Sequence, residues 1–191
     1  AGTSASGRAA ASADARPSSA TTGRAAPTTS ASSAVGTSFT AVSATAPSFD
    51  LEEQTLTIPA VPGVRYVDFD GLYFEPGIHD AYAWEYVVAI PLPGYSLTGA
   101  HEWDISFVQE NPRATPVVGK APTFDVAKRT YSIPTVPGIE YIDLLYGDSV
   151  APGVHTMPKG ESWAGFFLEG QTGFEVLGIA SVAATYAPLR G

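Results

Sequence analysis

The chain repeats itself. Ala46-Pro47-Ser48-Phe49-Asp50 returns 75 residues later as Ala121-Pro122-Thr123-Phe124-Asp125. The match extends beyond the pentapeptide: TLTIPAVPGVRYVD runs from Thr55 to Asp68, and TYSIPTVPGIEYID runs from Thr130 to Asp143. Any fold for this chain therefore contains two equivalent units. Of the 191 residues, the first 45 belong to neither copy. Each copy then has roughly 60 to 70 residues, near the lower limit for an independent hydrophobic core.

The apolar pattern within each copy has period two. Leu56 and Ile58 share one face while Thr55 and Thr57 take the other, and Thr130-Tyr131-Ser132-Ile133 repeats the scheme. Alternation of β-branched and aromatic residues with polar ones marks a half-buried strand. Glu52-Glu53-Gln54 and Ala127-Lys128-Arg129 read as polar hairpin turns ahead of those strands. Pro62-Gly63 and Pro137-Gly138 preset tight turns, with proline at the second turn position and glycine free to take positive φ. A second Pro-Gly comes at Pro76-Gly77 and at Pro152-Gly153, leading to His79 and His155. Middle strands are expected over 84–89 and 163–168. A last strand carries Trp103, Ile105 and Phe107 on one side and Glu102, Asp104 and Ser106 on the other; in copy two the inward set becomes Val182, Ala184 and Tyr186. The offset grows from 75 to 79 along the repeat, so the extra residues of copy two fall in loops.

Short strands at this spacing predict an all-β protein: two tandem small immunoglobulin-like β-sandwich domains behind an extended low-complexity N-terminal arm. The expected boundaries are 1–45 for the arm, 46–108 for the first domain, 109–120 for a linker and 121–188 for the second. Pro112 and Pro116 stiffen the linker, which predicts an end-to-end arrangement. The arm is almost entirely Ala, Ser, Thr, Gly and Pro, a composition that buries too little apolar surface to order itself alone. It reads as a tail, or as an anchor laid on a partner surface, with Arg8, Arg16, Arg24 and Phe39 as its contact residues.

Charge limits the partners. Arg8, Arg16 and Arg24 against Asp14 give the arm +2, while the whole chain carries −9, so residues 46–191 carry −11. An acidic body argues against nucleic acid, whose phosphates demand basic surface. No apolar run reaches membrane-spanning length, so no membrane partner is expected. The N-terminus lacks the apolar core of a signal peptide, which fits a chain not exported by that route or a processed form. With no cysteine there is no thiolate nucleophile and no thiolate metal site.

The remaining chemistry is sparse. His79 and His155 occupy equivalent positions, one per copy, and His101 stands alone, which falls short of converging metal ligands. Asp68-Phe69-Asp70-Gly71 hints at a calcium loop but lacks the further oxygen ligands at fixed offsets. No nucleophile elbow, phosphate loop or zinc-protease motif is present. The expectation is a protein that is not an enzyme, with no catalytic, cofactor-binding or metal-binding residues. Tyr82, Trp84 and Tyr86 share a strand face. The tryptophans recur as Trp84 and Trp163 and are expected in the core, whereas Tyr82, with Tyr73 and Phe74 near it in sequence, belongs to copy one alone. Tyr73, Phe74 and Tyr82 form a candidate docking patch or sugar-stacking platform, set against ordinary packing.

The set A-P-[ST]-F-D, T-x-[TS]-I-P-x-V-P-G-[VI]-x-Y-x-D and G-Y-S-L-T-G-x-x-x-W-x-x-S-F resembles the small bacterial immunoglobulin-like modules found on virion proteins of actinobacterial tailed phages and on some bacterial surface proteins. It covers both copies, about three quarters of the chain, and is closest over Gly94–Phe107. Copy two departs there, with Leu177 and Val182 in place of threonine and tryptophan. The resemblance implies a structural or adhesive role at the virion surface, as a capsid decoration or minor capsid protein. The arm would then meet the major capsid protein or another virion subunit. The alternatives are an adhesive module of a phage tail or fibre or of a bacterial surface protein, recognising host cell-surface glycan or protein, and a bacterial surface or secreted protein whose arm is a wall-spanning linker.

Overall fold

A computed structural model describes residues 38–191, and those residues contain strands and turns with no helix. Arg8, Arg16 and Arg24 lie outside the described residues; Phe39 lies inside them. The chain divides into two units, Ala1–Val35 and Gly36–Gly191. The second unit carries all the described strands.

Copy one begins with β1 (Thr40–Val42), β2 (Ser48–Asp50) and β3 (Thr55–Ile58). It continues through β4 (Val64–Val67), β5 (Tyr73–Phe74), β6 (Gly77–Asp80), β7 (Trp84–Pro91) and β8 (Tyr95–Ser106). Copy two supplies β9 (Thr115–Gly119), β10 (Thr123–Asp125), β11 (Thr130–Ile133), β12 (Ile139–Asp143), β13 (Gly153–Thr156), β14 (Trp163–Gly170) and β15 (Phe174–Arg190). Strands β2, β3 and β6 form one antiparallel sheet, and β10, β11 and β13 form its twin. The other strands join one nine-stranded sheet in the order β12-β14-β15-β8-β7-β4-β5, with β1 added on β8 and β9 on β15. Within each copy the first hairpin and the short strand after the second Pro-Gly share a sheet, while the central and last two strands share the other. That is the A-B-E against C-F-G connectivity of immunoglobulin-like sandwiches.

The turns form for the reasons the sequence offers. Asp50 Oδ1 accepts the amides of Glu52 and Glu53 at 2.9 and 3.0 Å, closing the first hairpin. Gly63 and Gly138 take φ of 81° and 83°. A Cβ at Gly63 would fall 2.3 Å from the Tyr95 ring, and one at Gly138 would fall 2.6 Å from that of Phe174. Each glycine thus serves both a left-handed turn and a close aromatic approach.

The core is one apolar cluster running through both copies. Leu56, Ile58, Tyr66, Val87, Leu97, Trp103 and Ile105 fill the first half, and Ile133, Tyr141, Phe166, Leu168 and Val182 the second, all essentially buried. Each such aliphatic side chain contributes about 1.5–3 kcal/mol on burial. Phe49 meets Phe107 edge-on at 6.3 Å, and Phe124 meets Tyr186 likewise at 6.5 Å, so both anchors of the repeated pentapeptide reach across their sandwiches. Tyr66 donates its hydroxyl to the Thr45 carbonyl at 2.7 Å, and its counterpart Tyr141 does the same to Lys120.

Three features depart from the sequence-based expectation. Thr40–Val42, expected within the arm, is a strand that runs parallel to β8 from Tyr95 to Leu97. Thr115–Gly119, expected within the linker, runs parallel to the start of β15. These segments are equivalent at the same 75-residue offset, so each copy starts ahead of its Ala-Pro pentapeptide. Third, the copies lie side by side rather than end to end, because β8 and β15 pair directly. The register of that pairing is symmetric. Trp103 faces Val182, its own repeat equivalent; Glu102↔Ala183 mirrors Asp104↔Ser181; Ala100↔Ala184 mirrors Ile105↔Ile179; Gly99↔Thr185 mirrors Ser106↔Gly178. The two copies therefore meet about a pseudo-twofold axis through Trp103 and Val182, as subunits do in an isologous dimer. Strand pairing between the copies satisfies backbone groups that an end-to-end chain would leave as open sheet edges.

Candidate functional site

Side chains on the nine-stranded sheet alternate between the core and an outer face. On β7, Val87 and Ala89 are fully buried, which turns Trp84 and Tyr86 outward. Trp84 is 52% exposed. Its ring stacks on that of Tyr86 with centroids 6.2 Å apart, and Phe69, 77% exposed, meets Tyr86 edge-on at 6.0 Å. The repeat predicts both tryptophans in the core. Trp84 is not there, and Trp163 is half-buried, because the period places them opposite the buried Val87 and Phe166 sets.

Copy two repeats this patch with different residues. Gly165 replaces Tyr86, and the Trp163 indole folds into the vacated space; a Cβ at Gly165 would lie 2.5 Å from it. Leu144, Leu145, Tyr146 and Phe167 are exposed around it. The Tyr146 hydroxyl donates to Glu161. A hollow of about 210 Å³ opens beside Tyr131, Tyr146 and Trp163.

Carboxylates occupy the seam between the patches. Tyr86 donates its hydroxyl to Glu102 at 3.2 Å, and His101 Nε2 sits 3.1 Å from the same carboxylate. Burial pushes the Tyr86 phenol up to about 12, with the Glu102 charge adding to it. The hydrogen bond from His101 holds Glu102 below the ordinary carboxylate range against the opposing effect of burial. Asp104 goes the other way: burial raises it, although Ser181 across the seam donates to Oδ2. Its Oδ1 is buried without a partner. Flat exposed rings flanking acceptor-rich carboxylates can stack on apolar or sugar faces and accept hydrogen bonds from them.

The sequence-predicted patch is divided by the fold. Tyr82 stands just before β7, 81% exposed, its amide held by Glu85 at 2.9 Å. Tyr73 is half-exposed on β5. Phe74, beside it, packs on the core and meets the His79 ring at 5.5 Å. Tyr73 and Phe74 line a separate hollow of about 290 Å³ with Pro59, Val61 and Pro76. Phe39 lies under the Arg190 guanidinium, 5.1 Å from its ring centroid, so the arm contact it makes is with the end of β15. Sequence reasoning misses Phe69 and the outward Trp84. Between the copies, only Tyr86/Gly165 marks the outer face, beside inward Val87/Phe166 and Ala89/Leu168 that stay apolar; Trp84 recurs as Trp163 and Phe69 as Leu144, so the repeat gives no signal for either.

The polar candidates have local roles. His79 Nε2 lies 2.6 Å from the Glu75 carbonyl, and His155 Nε2 lies 2.7 Å from that of Ala151. Asp68 Oδ1 accepts the amides of Asp70 and Leu72, and Asp143 Oδ1 accepts those of Leu145 and Tyr146. Both aspartates thus shape turns. Among the described residues, no group of three or more His, Asp or Glu converges as metal ligands. Compared with known proteins, the chain matches no family model, no curated protein and no solved structure.

Proposed function

We propose that this is a structural virion protein of a tailed phage, a capsid decoration or minor capsid protein without enzymatic activity. Its N-terminal arm attaches it to the major capsid protein or a neighbouring virion subunit, and its two immunoglobulin-like copies project as one unit. The observation that carries this reading is the symmetric β8–β15 seam. A shared sheet makes the body a stiff display element, whereas a flexible linker would let two domains swing. The acidic body keeps densely displayed copies apart, and the motif resemblance supplies the virion setting. Deleting residues 1–37, which spares β1, is expected to abolish incorporation into particles without lowering the melting temperature of the body. Normal incorporation of the truncated protein overturns the anchoring role.

A second reading is favoured by the exposed rings of Phe69, Tyr73, Tyr82 and Trp84. As an adhesive module, the protein would place them against host cell-surface glycan or protein. Replacing Tyr73 and Tyr82 by alanine should then reduce binding to host cells while changing stability by no more than about 0.5 kcal/mol, as is usual for exposed positions. Undiminished binding removes these two residues from that reading.

A further inference from the structure

The pseudo-twofold axis brings two equivalent grooves to the two ends of the seam, and only one is filled. At the copy-two end, β9 continues to Gly119, adding the pairs Val118↔Leu177 and Gly119↔Gly178. The Phe49 ring covers Gly178 so closely that a Cβ there would fall 2.6 Å from Cζ. At the copy-one end, β1 stops at Val42↔Leu97. The counterpart of Gly178 is Gly99, and the nearest atom to a Cβ placed there is Val126 Cγ2 at 3.9 Å. Phe124, the counterpart of Phe49, keeps the equivalent edge contact with Tyr186 but also stacks on Phe166, and none of its atoms comes within 4 Å of that position. What remains is an open groove of about 570 Å³ lined by Ser43, Ala44, Thr98, Gly99, Phe124 and Val126.

One residue accounts for the difference. A Cβ on Gly119 would lie 1.8 Å from the Ile179 carbonyl oxygen, so β9 can accompany β15 to this point only as glycine. The equivalent position in copy one is Ala44. Its methyl group prevents the same approach to Ala100, and β1 leaves the sheet two residues early.

We propose that the groove over Gly99 is a docking site for an aromatic side chain carried on an extended segment of a partner protein. The twin groove supplies the template: the same backbone, bare of side chain, is covered by a phenylalanine ring. The groove is also continuous with the interface between the copies, since Gly99 pairs with Thr185 across the seam. An incoming ring would rest on glycine backbone against Val126, and the hydroxyls of Ser43, Thr98 and Thr123 border the path of its main chain. Aromatic anchors in such clefts dominate the energetics of small interfaces.

The test uses the full chain, ¹⁵N-labelled, titrated with the blocked peptide Ac-Ala-Pro-Ser-Phe-Asp-NH₂, a copy of residues 46–50. Saturable shifts are expected at the amides of Gly99 and Val126. A peptide with alanine for phenylalanine should bind at least about tenfold more weakly. Ser43→Trp, at an exposed position on the groove rim, should plug the site and abolish the shifts. Thr123→Trp, also exposed, tests the same point should the first variant misfold. Equal binding of the alanine peptide overturns the proposal, as does binding undiminished in both folded variants. Shifts centred on Gly178 would mean displacement of Phe49 and equally overturn it. Shifts at Gly99 that grow with protein concentration without peptide would assign the groove to a second copy of this chain, against a partner protein.

Discussion

The two copies use one backbone plan and treat their surfaces differently. Copy one stacks Trp84 on Tyr86 and leaves both outside; copy two deletes the tyrosine ring and lets Trp163 fold over Gly165. Copy two runs its parallel strand to Gly119, while copy one breaks off before Ala44. Beyond the symmetric register, Leu189 and Arg190 pair with Leu97 and Ser96 at one end. At the other end, the Glu175 carboxylate takes the place of such pairing by accepting the amides of Glu110 and Asn111 at 2.6 and 2.9 Å. Inward residues are held to a common pattern by the shared core. Outward residues are free to diverge, as Tyr86 and Gly165 do.

The largest test of this comparison is at the axis. Trp103 is 1% exposed and faces Val182 across the seam. Trp103→Ala should cost about 3–5 kcal/mol, the usual range for a large aromatic in a core. Because one cluster spans both copies, denaturant unfolding should remain a single transition at lower midpoint. Two separated transitions would show that the copies fold independently.

Gly119→Ala should make copy two resemble copy one at the groove. The methyl group meets backbone oxygen, so the expected loss is about 1–3 kcal/mol, in the range of overpacking. Loss of amide protection at Val118 and Gly119 in hydrogen exchange is the accompanying readout. A fully stable, fully protected variant would remove glycine as the cause of the asymmetry.

Tyr141→Phe should cost about 1 kcal/mol through the lost hydrogen bond to Lys120, and Tyr66→Phe somewhat more, because the Tyr66 hydroxyl both donates to the Thr45 carbonyl and accepts the Thr45 amide. Equal costs, read from matched denaturation curves, would show that the bond from the Thr45 amide adds nothing to the clamp.

The smallest expected effect is at Asp104. Its carboxyl is raised above the ordinary aspartate range by burial. The folded state therefore keeps its proton to higher pH than the unfolded state does. The associated stability is present below the unfolded value and is lost as pH rises through the folded one. Asp104→Asn removes that loss, so its melting temperature relative to the native protein should rise from acid toward neutral pH. A constant difference across that range would refute the assignment.

Much of the fold was legible in the chain. The repeat, the period-two strands, the Pro-Gly turns and the alternation of Trp103, Ile105 and Phe107 with Glu102, Asp104 and Ser106 all arise from local residue chemistry. The first strand of each copy was not legible. Thr40-Ala41-Val42 and Thr115-Pro116-Val117 share only two residues and sit in low-complexity or proline-bearing surroundings, so nothing local distinguishes strand from linker. The outward turn of Trp84 was hidden for a different reason: alternation specifies which residues share a face, not which face meets the core. Only the packing of β3 and β6 against the opposite side decides that.

The sequence by itself determined two equivalent all-β units and which residues share each strand face, because side-chain period and turn chemistry act over a few residues. The tertiary structure alone decided that the units share one sheet about an axis at Trp103 and Val182, and that one of two equivalent grooves is left open. Both depend on which strand edges meet, a matter of long-range backbone pairing on which no local pattern bears.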